Sequence, residues 1–204
     1  MLFKMFLTIH IISASISLVA GALAAIAVKG SKIHKRSGRF FVPGMLVATL
    51  SAVVLSWLHP NTILMGIGIF SLYLTLSGWI WVQRNKQKAK IKYARLLGSL
   101  ALMTGLFLVG VGVVNFPTVN NVALVFGMLQ LFFGVVDFRN RSDSSKNISR
   151  HAARMGGAYI ATLTAFLVVN VDFVPFYIVW FLPSVIGTIL LIWRIRKWNE
   201  AYSK

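Results

Sequence analysis

Not one of the 204 residues is cysteine, and only four are aspartate or glutamate. The first absence excludes disulfide frameworks, thiolate metal sites, iron–sulfur clusters and cysteine nucleophiles. The second leaves too few carboxylates for an acidic cation site or a two-carboxylate hydrolase. Charge of either sign is scarce, at 12% of residues against roughly 25% in soluble domains. There is no Gly-x-x-x-x-Gly-Lys-Ser/Thr loop, no Gly-x-Ser-x-Gly elbow and no His-x-x-x-His pair, so the sequence offers nothing to cradle a nucleotide or expose a serine nucleophile. No polar stretch is long enough to form a second domain, so residues 1–204 read as one membrane domain.

What remains is apolar. Hydrophobic residues make up 57% of the chain. They fall into seven runs, near 3–28, 40–58, 62–83, 96–115, 120–138, 152–170 and 174–193. Each approaches the roughly 20 residues needed to cross the hydrocarbon. In lipid every backbone N–H and C=O needs an internal partner, so such runs must be helices. The expected fold is all-α, a polytopic transmembrane bundle of about seven spans. The Ala-rich end of the first run, Gly21-Ala22-Leu23-Ala24-Ala25, resembles a signal-peptide cleavage region. However, the run is too long for a leader and the cations follow it, so it reads as a span.

Cations sit between the runs in an alternating pattern. Lys29, Lys32, Lys35, Arg36 and Arg39 follow the first run, and none fall at His59-Pro60-Asn61. Arg84, Lys86, Lys88, Lys90, Lys92 and Arg95 follow the third, and none fall at Phe116-Pro117-Thr118. Arg139, Arg141, Lys146, Arg150 and Arg154 follow the fifth, none fall at Val171-Asp172-Phe173, and Arg194, Arg196, Lys197 and Lys204 close the chain. All of the 21 cations except Lys4 therefore fall on one side. The positive-inside rule makes that side cytoplasmic, with the N-terminus out and the C-terminus in. The net charge of +17 thus reads as membrane topology and not as a nucleic-acid surface. Anionic headgroups are the expected partners of the basic loops. Trp57, Trp79, Trp81, Trp180 and Trp193 lie near run ends and read as interfacial anchors.

Polar residues inside a bilayer are costly and are candidates for function. His10 shares a face of the first span with Ser13, Ser17, Gly21 and Ala25. Those small residues suit close helix approach, within the bundle or between copies. His10 then faces the interior, either bonded to a neighbouring helix or handling a ligand or proton. His59 ends the second span on the same side. His34 and His151 lie on the basic side, with Arg154, Met155, Ala158, Tyr159 and Thr162 following His151 on one face. Imidazole ligates haem iron and carries protons. Two bis-histidine haem b groups, one per leaflet, would make an electron route, and coincidence is the competing reading of the two-and-two split. Gln130 and Asp137 share a face with Gly127 and Gly134. Asp137 reads as a structural pair with Arg154 or Arg139, or as a proton relay. Ser71, Thr75 and Gly78 form a polar stripe on the third span.

Several segments together carry a resemblance. They are His10 with Gly21, the loop Lys29-Gly30 through His34-Lys35-Arg36-Ser37-Gly38-Arg39, Leu72-Tyr73-Leu74 with Gly78-Trp79, and Asp137. The last is His151-Ala152-Ala153-Arg154-Met155 through Thr164-Ala165-Phe166. This pattern resembles a family of bacterial multi-pass membrane proteins classed as a domain of unknown function. The resemblance implies a bacterial inner-membrane bundle and no particular reaction. It picks out His10, His34, Gly38, Arg39, Asp137, His151 and Arg154. The loop departs from the family at Ser37, where an apolar residue follows the basic pair, and His59 falls outside the pattern. Three functions fit the sequence: a histidine-dependent haem or redox protein, a small transporter or channel along His10, Gln130, Ser71, Thr75 and Tyr159, and a non-catalytic assembly or lipid-interacting protein.

Overall fold

The structure is a computed structural model that describes residues 1–83, 87–114, 120–139 and 146–202. Among them are seven α-helices and no strand. The helices are α1 (Leu2–Ile26), α2 (Lys32–Leu58), α3 (Thr62–Ile80), α4 (Gln87–Val113), α5 (Asn121–Phe138), α6 (Asn147–Asn170) and α7 (Phe176–Tyr202). All seven are long and apolar enough to cross a membrane, and the chain is a multi-pass helical membrane protein. Arg84, Lys86, Arg141, Lys204 and the Phe116-Pro117-Thr118 connection lie outside the described residues.

The helices outrun the apolar runs at their basic ends. The charged segments 32–39 and 87–95, expected as connections, are helical turns of α2 and α4, and α7 continues past residue 193. Lys, Arg and Gln are good helix formers. Beyond the hydrocarbon their charged ends can meet water while the backbone stays bonded. Local chemistry sets the start of α2. Gly30 adopts φ +76, a left-handed conformation that costs glycine little, and turns the chain. The Ser31 hydroxyl then accepts the His34 N–H at 3.2 Å, satisfying a donor that would otherwise lack a helical partner. Asn61 and Asn120 cap α3 and α5 in the same way, accepting from Leu64 and Ala123.

Three hairpins, α1–α2, α4–α5 and α6–α7, surround α3, which touches α2, α4, α5 and α6. Its position explains why both the Phe70–Tyr73–Ser77 face and the Ser71–Thr75–Gly78 face of α3 are buried. Aromatic rings fill the space between α3, α5 and α7. Phe70 meets Phe126 at 5.8 Å and Phe133 at 6.3 Å, and Phe126 meets Trp180 at 6.2 Å between centroids. Trp180 and Trp81 are therefore core residues, 7% and 1% exposed, whereas Trp57, Trp79 and Trp193 are exposed as anchors would be. Large rings buried against helices override the interfacial preference suggested by position along the chain.

Small residues set the helix spacing. On α4, Gly98, Gly105 and Gly112 recur every seven residues and face Gly134, Gly127 and Leu124 of α5. A Cβ on Gly98 would stand 2.8 Å from the Phe138 nitrogen and 2.9 Å from the Gly134 carbonyl oxygen. Both are backbone atoms that move only if the helices part. A Cβ on Gly110, on the same helix, would meet no neighbouring element within 4 Å among the described residues. Gly98→Ala is therefore expected to destabilise the protein by about 1–3 kcal/mol through overpacking. Gly110→Ala should be neutral or stabilise by about 0.5–1 kcal/mol through helix propensity. Unfolding of the two variants in mixed micelles checks this, and equal stabilities would contradict the close α4–α5 contact.

Candidate functional site

The chemistry-bearing side chains gather at the basic end of the bundle, where α3, α5 and α6 converge. Asp137 is 0% exposed and Arg154 is 4% exposed. The Arg154 Nη2 donates to Asp137 Oδ1 at 2.7 Å. The other carboxylate oxygen accepts from the Tyr73 hydroxyl at 2.5 Å and the Ser77 hydroxyl at 2.7 Å. The guanidinium also lies over the Phe133 ring, 4.2 Å from its centroid. Burying two charges costs several kcal/mol per ion unless hydrogen bonds satisfy them. Here both oxygens are occupied, by groups from two other helices. Gly78 makes room for the pair, since a Cβ there would lie 2.9 Å from the Arg154 Cβ. Of the two partners expected for Asp137, the structure brings Arg154 and not Arg139. Tyr73 and Ser77 were not anticipated as its ligands. Their signal was a Tyr and a Ser four residues apart inside an apolar run, a face of α3 adjoining the stripe singled out.

One turn before Arg154 stands His151, half-buried, its Nδ1 2.9 Å from the Gly78 carbonyl oxygen. His34, in the first turn of α2, places its own Nδ1 2.9 Å from the Ala24 carbonyl oxygen. The two rings stand edge to face with centroids 6.4 Å apart. A carbonyl only accepts, so each Nδ1 must carry the proton and each neutral ring keeps its lone pair on Nε2. Lys29 lies within electrostatic range of His151, and Arg194 within range of Lys29. Arg194 also donates to the Ile26 carbonyl at the end of α1, at 3.2 Å. Burial, and then Arg194, hold the Lys29 ammonium below its ordinary pKa of 10.5.

No protein-family profile, curated protein or solved structure matches the chain.

The remaining candidates lie apart from this cluster. His10 is half-buried in the α1–α2 seam, its Nδ1 2.9 Å from the Ala48 carbonyl oxygen and 3.3 Å from the Ser51 hydroxyl. His59 is exposed at the opposite end, ring to ring with Phe3 at 4.3 Å. It lies eight residues beyond Ser51, about 12 Å along the helix at 1.5 Å per residue, so the structure does not bring His10 and His59 together. Gln130, fully buried between α4 and α5, donates from its amide nitrogen to the Thr104 hydroxyl, while its amide oxygen has no partner among the described residues. The Thr75 hydroxyl is spent on the Ser71 carbonyl of its own helix at 2.8 Å. Tyr159 packs its ring 6.5 Å from Phe41 and over Gly21. These groups occupy separate seams, each bonded or packed locally. Among the described residues no three His, Asp or Glu side chains form a metal-binding group.

Removing one member of the buried pair should leave the other uncompensated. Asp137→Asn is expected to cost about 3–5 kcal/mol and Tyr73→Phe about 1–2 kcal/mol, measured by unfolding in micelles. An Asp137→Asn cost no larger than that of Tyr73→Phe would show that the pair is not desolvated.

The depressed Lys29 value has a pH consequence. At Lys29 the folded state binds fewer protons than the unfolded state just below pH 10.5, so this group's contribution to stability rises with pH there. Arg194→Gln should move the Lys29 titration upward, read from the NMR shift of a labelled Lys29 ammonium. An unmoved titration would remove Arg194 as a cause.

Proposed function

We propose that this multi-pass membrane protein is a haem-binding redox protein whose centre lies at its basic face, between His34 and His151. The observation that carries the reading is the pairing of those two side chains, 117 positions apart in the sequence. Their centroids are 6.4 Å apart. A haem held here would take the Nε2 lone pairs of His34 and His151. Both Nδ1–H groups are already anchored to backbone carbonyls. Such bonds orient ligand imidazoles and raise their basicity.

The donor set favours a haem over a bare cation. Two imidazoles without a carboxylate are too few ligands for a closed divalent site. A haem would need from this chain only the imidazoles of His34 and His151. Lys29 and Arg194 would meet its carboxylates. The bound group would supply one-electron chemistry, and the chain's part is to orient both imidazoles and to balance charge. We place the basic face in the cytoplasm of a bacterial inner membrane, following the positive-inside rule and the resemblance of the loop and span motifs.

The full chain, expressed in haem-replete cells and purified in detergent, should show a Soret band and about one iron per chain. His34→Ala and His151→Ala should each lower haem occupancy at least tenfold, while His59→Ala retains it. A colourless, iron-free preparation would sink the proposal.

A further inference from the structure

Away from the histidines, the outer surface of the α1–α2 hairpin is grooved. Two stripes at helical spacing face the groove. Ile16, Val19 and Leu23 come from α1, and Ile33, Arg36 and Phe40 come from α2. The cavity between them is about 650 Å³. The five apolar members are 47–63% exposed, so the groove opens outward, toward the lipid in a membrane-spanning bundle. The helices touch through a neighbouring face, where Gly44 admits the Ser17 hydroxyl. That close contact leaves the flanking stripes splayed as a wedge. From Ile16 to Leu23 the groove follows α1 for about 10 Å at 1.5 Å per residue. This fits within one leaflet of a hydrocarbon layer about 30 Å thick.

The charge is all at one end. Arg36 is exposed, has no acidic partner among the described residues, and is flanked on the same helix by Lys32, Lys35 and Arg39. We propose that this groove is a binding site for an anionic phospholipid, with one acyl chain along Ile16, Val19, Leu23 and Phe40 and the headgroup phosphate on Arg36. The division of labour follows from the solvent. Lipid tails are as apolar as leucine, so the wall of the groove gains little by exchanging one lipid for another. It supplies shape. Selection among lipids must come from the cation at its mouth, because a guanidinium binds a phosphate in bidentate fashion. The site is independent of the histidine pair, since Arg36 and the groove take no part in it.

The test reconstitutes the full chain in phosphatidylcholine bilayers with acyl-chain spin-labelled phosphatidylglycerol or phosphatidylcholine, and reads the motionally restricted fraction. Phosphatidylglycerol should associate at least fivefold more strongly, about fivefold being the ratio expected of one basic residue near an anionic headgroup. Arg36→Gln should lower that preference by about this factor. Val19→Trp, which fills the groove from an exposed position, should also lower the phosphatidylglycerol fraction. Lys88→Gln, at the basic end of another helix, should leave the preference intact. Equal association of the two lipids with the unaltered chain would overturn the proposal. So would equal losses from Arg36→Gln and Lys88→Gln, which would mark a diffuse surface charge. Displacement of the labelled lipid by soluble glycerol phosphate would overturn it too, showing a phosphate site that ignores the chain.

Discussion

A carboxylate and a guanidinium held out of water at one end of the bundle constrain everything near them. Asp137 and Arg154 come from α5 and α6, and the hydroxyls that complete the carboxylate come from α3. None of the three helices can slide by a turn without leaving a buried charge unpaired, which is far more costly than a lost van der Waals contact. Non-directional packing of leucines and phenylalanines would tolerate several registers. The ion pair accepts one. It therefore fixes the register of α5 and α6 against α3.

That register positions the histidines. His151 precedes Arg154 by one turn, and its carbonyl partner belongs to Gly78, next to Ser77 in the same network. The ring of His151 is thus tethered to the rigid part of the molecule. His34 reaches it from the α1–α2 hairpin, tethered in turn to Ala24. The meeting of the two rings joins that hairpin to the α3–α5–α6 unit at the basic end, as the Tyr159 ring over Gly21 does deeper in the bundle. His10 and His59 sit on the α1–α2 hairpin alone, remote from the buried pair.

The lipid-facing surface obeys different rules. There the side chains gain little from association, so shape and residual charge decide what binds. The α4–α5 seam shows the shape rule inside the chain, where glycines let backbones approach. The α1–α2 groove shows it at the exterior, where splayed stripes leave a furrow with Arg36 near its basic end.

The architecture was legible in the sequence to a large degree. Runs of apolar residues long enough to span a bilayer allow only helices, because lipid offers the backbone no partners, and these runs recur as α1 to α7. The sequence also pointed to Asp137 and Arg154, since buried charge is rare enough to be noticed by composition. It could not say where the charged connections become helix, because Lys and Arg suit both a loop and a helical turn at an interface. Nor could it name Tyr73 and Ser77 as the carboxylate's partners, sort Trp81 and Trp180 from their exposed counterparts, or choose which histidines meet. Those outcomes depend on how helices rotate about their own axes. Helix rotation is set by contacts between residues far apart in the chain, and a one-dimensional pattern of hydropathy carries no record of it. Span count and helical class followed from the sequence alone; the pairing of His34 with His151 and of Asp137 with Tyr73 was decided only when the helices packed.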